Sequence, residues 1–338
     1  MSTNKQKKGQ IMNMETMIKR EGDSTRVVEM VRQCNFGEIQ SYGPISVIPV
    51  LGEDQDAGPE YLSLSEALEK SMIEVTEVSE GGSVPYLKVR NLSSRKVLLL
   101  DGEELMGAKQ NRVLNTTVLV PEDEELTVPV SCSERGRWRY KGKTFEDSNL
   151  IMAKKTQSLK SSSVSHSLEY QESYFSDQGG VWNSIDQMHA KYASGSHTAA
   201  MKHVYDQQGE LLSAYLEKFP CMKNQRGVVV FVDGELAGCE MISKNKPYLR
   251  CHEKIIKSFC IDLLHRKIKE EEKTGSLEKA RDWLASIENW KTSRFKSLGI
   301  GDDLRLKNGV SHGNALLAED SVVHFVAFGP QILSDEEL

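Results

Sequence analysis

The chain has 338 residues, with 43 Lys and Arg against 49 Asp and Glu, a net charge of -6 and a pI near 5.9. That balance argues against wholesale binding to nucleic acid or to an anionic membrane surface, but a local basic patch can still take a phosphorylated ligand. At 38% hydrophobic and 27% charged residues the composition is that of a globular protein with a sizeable core, and no run of about 18 apolar residues offers a membrane-spanning helix.

The start, MSTNKQKKGQIMNMETMIKREGDS, is polar and lacks the apolar stretch of a secretion signal. It reads as a disordered leader, with Met12 or Met14 as alternative starts, and residues 1–40 as leader and entry segment. Six cysteines (Cys34, Cys132, Cys221, Cys239, Cys251, Cys260) show no CxxC spacing. Without an export signal they read as reduced thiols in a cytoplasmic protein.

Residues 43–145 read as β. ISVIPVL (45–51) is the first strand, and a short helix opens at Ser63, which precedes Glu66 by three as in a capping box. Strands follow at 86–90, 97–100, 105–113, 116–120 and 126–132. From residue 147 to 219 the period becomes helical, with Trp182, Ile185 and Met188 on one face and Met201, Val204, Leu211, Leu212, Tyr215 and Leu216 on another. The serine-rich residues 158–167 ahead of them read as a flexible loop. Then come a hairpin over 227–241, helices over 252–271 and 277–293, and closing strands at 304–306, 314–318 and 322–328.

The expected fold class is α+β, with antiparallel β-sheets in a sandwich or meander and a helical layer from the middle of the chain. Residues 41–330 form one domain in this reading, with 331–338 as a tail. VLLLDGEELMG (97–107) resembles VVFVDGELAG (229–238), and ALLAEDSVV (315–323) has a looser version of the same shape. Asp-Gly between apolar runs favours a hairpin, because a type I′ turn needs positive φ at both central residues. The repeats are either three hairpins that share turn chemistry or the trace of a duplication. In both cases the late strands join sheets begun in the first half, and Asp101 is chiefly a turn residue.

The stretch 97–140 holds the densest chemistry. Glu103 and Glu104 follow the Asp101-Gly102 turn and, in a strand, point to opposite faces, so at least one is forced toward an apolar layer. A carboxylate there has a raised pKa and suits a general acid or base, or a metal ligand; alternatively both are solvated at the turn. Lys109, Gln110, Asn111 and Arg112 bring donors that suit ribose hydroxyls, base edges or phosphate, or else bond neighbouring loop backbone. Arg135, Arg137 and Arg139, continued by Lys141 and Lys143, alternate. In a strand they share one face, with Trp138 and Tyr140 on the other. Such a face binds phosphate or carboxylate, with Glu134 beside it, or is the charged outer side of an edge strand.

Cys132 ends an apolar strand before an arginine-bearing turn. The spacing puts Trp138 where a Cys-x5-Arg phosphatase loop needs arginine, so a buried structural thiol fits better. Among the histidines, His252, His312 and His324 show no zinc spacing, and His324 reads as a satisfied core residue. There is no GxxxxGK[ST], GxGxxG, HExxH or GxSxG, which removes support for standard nucleotide hydrolysis, Rossmann redox chemistry, zincin proteolysis and α/β-hydrolase chemistry.

GEELMGAKQNRVLN, SCSERGRW, QGGVWNSID, VVVFVDGELAGCEMI and GNALLAEDSVVHFVAF follow one another in this order. On these segments the chain resembles the ARG and Rhodanese-Phosphatase-superfamily-associated protein family, over roughly residues 41–328. The family takes its name from proteins it accompanies, ADP-ribosylglycohydrolase-like and rhodanese- or phosphatase-like ones. The resemblance carries no settled activity, and it implies a link to ADP-ribose, NAD-derived metabolites or their phosphorylated products.

The leading expectation is therefore a protein that binds an ADP-ribose-like or other phosphorylated small molecule. Arg137 and Arg139 lie on phosphate in this expectation, Lys109 to Arg112 orient the rest, and Glu103 or Glu104 serves as general base of a hydrolysis with Mg²⁺ as a possible aid. The rival is a non-catalytic sensor or scaffold that pairs with an effector enzyme through its helical half.

Overall fold

The structure, a computed structural model, describes residues 20–21, 24–53, 58–79, 85–137, 142–266 and 273–333. Residues 225–232, QRGVVVFV, show no polar alternation along their valine-rich run, and all eight are buried. A strand of that kind needs cover on both faces. It receives it in the interior of a ten-stranded antiparallel sheet, between Glu235–Ile242 and Ile45–Leu51.

The order across that sheet is Arg20–Glu21, Lys291–Lys296, Asp302–Lys307, His312–Ala318, Ser321–Phe328, Glu235–Ile242, Gln225–Val232 and Ile45–Leu51. Asn35–Phe36 and Gln40–Tyr42 both pair with the outer edge of Ile45–Leu51. An early strand thus sits against late ones, as expected. Val229 and Phe231 pack toward the helices Thr25–Arg32 and Leu277–Ser286, while Val228, Val230 and Val232 face the helices Gln178–Lys191 and Asn245–Cys260. The two-residue alternation of a strand separates these two cores.

A second sheet has six strands in the order Phe145–Ile151, Glu103–Gly107, Arg112–Leu114, Glu125–Cys132, Tyr86–Asn91 and Ile73–Glu77. A bridge from Thr76 to Thr144 brings its two ends together, so the sheet curls into a small barrel around Val75, Leu87, Val89, Leu105 and Val130. A third, three-stranded sheet is formed by Val118–Val120, Lys96–Leu99 and Tyr61–Ser63. The short helix Leu64–Glu69 starts where the capping box indicates, with Ser63 Oγ accepting the Glu66 N–H at 3.3 Å.

The α+β class stands, and several local expectations change. Asp233-Gly234 and Glu319-Asp320 do close hairpins, and in each pair both residues have positive φ. At Asp101-Gly102 only Gly102 is positive, at +81°. A turn of that kind splays its flanking strands instead of pairing them. Lys96–Leu99 accordingly leaves for the three-stranded sheet and Glu103–Gly107 for the barrel. The expected strand 105–113 is two strands, with residues 108–111 turning between them.

The expected loop at 158–167 lies within an 18-residue helix, Lys154–Gln171. Its serines are compatible with a helix because they bond back to the preceding turn: Ser163 Oγ donates to the Lys160 carbonyl at 2.7 Å and Ser165 Oγ to the Ser161 carbonyl at 2.9 Å. The expected helix at 252–271 starts earlier, as Asn245–Cys260, followed by a 3-10 turn at Ile261–Leu263, with 267–271 outside the described residues; the one at 277–293 ends at Ser286 before the strand Lys291–Lys296. Residues 135–137 bend and form no strand. Trp138, Arg139, Tyr140 and Lys141 lie outside the described residues.

Candidate functional site

The helix Lys154–Gln171 has helical spacing on its buried face, but the first three turns of that face are polar: Lys154, Gln157, Lys160 and Ser161 precede Val164 and Leu168. Each of these polar groups meets a partner from one of the sheets. Lys160 Nζ pairs with Asp101 Oδ1 and donates to the carbonyls of Leu114 and Asn115, both at 3.0 Å. Its three protons are thereby used. Burial lowers the Lys160 pKa, and the Asp101 carboxylate opposes that fall.

Around this pair runs a closed ring of hydrogen bonds. The Asp101 N–H donates to Thr117 Oγ1 at 3.1 Å, Thr117 Oγ1 contacts His324 Nδ1 at 2.8 Å, and His324 Nε2 contacts Glu240 Oε1 at 3.2 Å. Glu240 pairs with Lys154, Lys154 Nζ donates to Gln157 Oε1 at 2.7 Å, and Gln157 Nε2 returns to the Asp101 carbonyl at 2.8 Å. Burial alone would raise the Glu240 carboxyl, but Lys154 and His324 hold it below the ordinary value.

A second branch leaves Asp101 through Asn314, whose Nδ2 lies 3.2 Å from Asp101 Oδ2 and 3.0 Å from Ser161 Oγ. It reaches Arg305, which is held by Asp303 at 2.6 and 2.8 Å and donates to Thr116 Oγ1 at 2.8 Å. Lys154, Lys160 and Arg305 thus balance Asp101, Glu240 and Asp303, so the low dielectric there holds no uncompensated charge among these six. His324 is the satisfied core histidine that its apolar strand suggests.

The residues singled out in the sequence gather on the barrel beside this network. Glu103 and Glu104 point to opposite faces of their strand and both are buried. Glu103 accepts the Leu100 N–H at 2.9 Å and a proton of Lys254 at 3.1 Å, and Lys254 also binds Asp147 at 2.7 Å; burial still raises the Glu103 carboxyl. Glu104 accepts from Ser133 Oγ at 2.6 Å, and burial lifts its pKa to about 7.

Lys109, Gln110 and Asn111 form the turn between two barrel strands, and Gln110 Nε2 donates to the Arg135 carbonyl at 3.1 Å. Arg137 is buried and holds Glu134 through Nε at 3.0 Å and Nη2 at 2.8 Å. It donates further to the Ala108 and Gly107 carbonyls and to Asn111 Oδ1, while the Asn111 N–H donates to Glu134 at 3.1 Å. Arg112 donates to Gln110 Oε1 at 2.8 Å and to Cys132 Sγ at 2.7 Å. Burial raises the Cys132 thiol despite that guanidinium, the direction opposite to an activated nucleophile. Arg135, by contrast, reaches Asp186 at 3.0 Å in a half-exposed ion pair.

Two cavities adjoin these groups. The larger, about 360 Å³, is a cleft between the helices Lys154–Gln171 and Gln178–Lys191, floored by Lys160 and walled by Ser163, Asp177, Asn183, Ser184 and Gln187. Ser163 Oγ accepts the Asp177 N–H at 3.0 Å, and Thr156 and Ser184 hydroxyls meet at 2.6 Å, so the two helices are tied on both sides of it. The smaller, about 260 Å³, is lined by Pro85, Asn115, Val130, Phe175, Ser176 and Gln178. Neither Glu103 nor Glu104 lines either one.

The sequence expectations fell on the barrel residues; they took Asp101 for a turn residue and did not single out Lys160, Glu240, Asp303, Arg305 or Asn314. One signal was available: DDLRLK sets Asp303 and Arg305 on the face opposite Leu304 and Leu306, and a charged inner face on a late strand asks for partners. Among the described residues no group of three or more His, Cys, Asp or Glu side chains gathers as a metal site requires, and no helix is long and apolar enough to cross a membrane. No curated protein and no solved structure matches the chain. The profile that does match spans residues 33–328, nearly the whole chain, and by it the protein belongs to the ARG and Rhodanese-Phosphatase-superfamily-associated Protein domain family.

Proposed function

We propose that the protein is a binding module for an ADP-ribose-like or other phosphorylated small molecule, seated in the cleft between Lys154–Gln171 and Gln178–Lys191. The family description, with ARG read as ADP-ribosylglycohydrolase, supports the ligand class. The observation that carries the site is the cleft itself, about 360 Å³ with a polar wall over the Lys160–Asp101 pair. Concave, partly polar pockets of this size are where small ligands bind. Binding without turnover is the better reading, because Lys160 and Asp101 under the cleft are spent on one another and Glu103 and Glu104 lie outside it.

Thermal shift tests it, with ADP-ribose, NAD, AMP and sugar phosphates. A ligand at a hundred times its Kd adds about 2.7 kcal/mol, read as a rise of several degrees. The shift is expected to vanish in Asn183→Trp, which fills the cleft from an exposed position. No shift with any of these compounds would sink the proposal.

One observation favours hydrolysis as a second reading. Glu104, with its pKa lifted to about 7, sits in the range that suits a general base near neutral pH. Incubation with ADP-ribose followed by chromatography decides: product formed by wild type and lost in Glu104→Gln supports it, and an unchanged substrate peak removes it.

A further inference from the structure

We infer that the cleft recognises the hydroxyl-rich ribosyl end of its ligand rather than the phosphates, an inference that rests on the small-molecule reading above. The chemistry of the wall carries it. Phosphate would need free cationic or N–H donors, and the two lysines that line the cleft, Lys155 and Lys160, both already have partners. Lys160 spends its three protons on Asp101, Leu114 and Asn115. The helix end offers little more, since the Gly180 N–H is already bonded to Asp177 Oδ1 at 3.1 Å. The Asp177 carboxylate lining the cleft also repels a second anion.

Hydroxyls find the opposite conditions. Asn183 and Gln187 stand four residues apart on one helix face, both exposed at the cleft, and neither makes a side-chain hydrogen bond among the described residues. Each amide offers a donor and an acceptor, which matches a hydroxyl that does both. Asp177 keeps its second oxygen for vicinal hydroxyls, the same use an acidic side chain has on the ribose of dinucleotides. Leu159, Val181 and Ile332 give the C–H face of a sugar ring an apolar surface. At about 360 Å³ the cleft is near the small end of ligand pockets, the size for a sugar-bearing fragment rather than a whole dinucleotide.

Calorimetric titration of the full chain with ADP-ribose, ADP and ribose 5-phosphate tests the assignment, on wild type, Asn183→Ala, Gln187→Ala and Asp177→Asn. The last keeps a capping side chain while removing the charge. ADP-ribose is expected to bind about tenfold or more tighter than ADP, since only it presents the additional ribose. Each variant is expected to weaken ADP-ribose by about two- to tenfold, the range of one hydrogen bond, and to leave ADP unchanged. Equal affinity for ADP and ADP-ribose, or variants that bind ADP-ribose like wild type, would overturn the ribosyl assignment while the phosphorylated-ligand reading stands. No binding of any of the three compounds overturns both.

Discussion

Glu104 is the carboxylate whose surroundings define its chemistry most sharply. It is fully buried, accepts one hydrogen bond from Ser133 and has its pKa lifted from 4.5 to about 7, chiefly by burial. The folded state therefore holds a proton that the unfolded chain gives up above pH 4.5. Its contribution to stability is fully present below pH 4.5, declines as pH rises toward 7 and is gone above that, a difference of at most about 3 kcal/mol. Glu104→Gln keeps an acceptor for Ser133 without the titration. The urea midpoint of the variant is expected to vary less between pH 4.5 and 7 than that of wild type. Parallel midpoint curves for the two proteins would show that Glu104 is ionised in the fold.

Between elements, the telling contact is Gln178, the first residue of its helix, on the end of the barrel strand Glu125–Cys132. Its Oε1 accepts the Cys132 N–H at 2.7 Å and its Nε2 donates to the Cys132 carbonyl at 3.0 Å, while Ser131 and Ser176 hydroxyls meet alongside at 2.5 Å. One side chain thus completes a strand end where no further strand continues the ladder. Gln178→Ala leaves both backbone groups without that partner and is expected to cost about 1–3 kcal/mol by urea denaturation; a loss within error of zero would mean that water replaces the amide. Elements of this kind differ in how far the sequence discloses them. Gln225–Val232 and Ser321–Phe328 were legible from apolar runs, and the barrel strands from Val, Leu and Thr between turns. Lys154–Gln171 was not, because its buried face starts with lysine, glutamine and serine, which a hydrophobic period cannot register. The turn at Asp101-Gly102 misled for a related reason: the dipeptide specifies a bend, but only the φ of both residues decides whether the strands pair. Glu103 and Glu104 stood out by their crowding, whereas Lys160 and Arg305 gain meaning from Asp101 and Thr116, 59 and 189 positions away and brought to them by tertiary packing.

Across the whole molecule, the network around Asp101 joins three bodies that the chain visits at different times. Asp101 and Thr117 come from the barrel side, Glu240, Asp303, Arg305 and His324 from the ten-stranded sheet, and Lys154 and Lys160 from the helix between them. The ten-stranded sheet itself interleaves Ile45–Leu51 with strands from the second half. A boundary that cut the chain into independent halves would strand charges on both sides, each costing several kcal/mol to leave unpaired in a low dielectric. We therefore expect residues 41–330 to unfold as one unit. Tryptophan fluorescence, reporting Trp182 on a helix over the cleft and Trp283 and Trp290 on the far side of the sheet, should trace the same urea transition as far-ultraviolet circular dichroism. Lys160→Met should lower that single transition by about 3–5 kcal/mol, since it leaves Asp101 buried without its cation, and should not split it. Two resolved transitions in wild type would show that the sheets fold separately. Two transitions appearing only in Lys160→Met would identify this one ion pair as the tie between them.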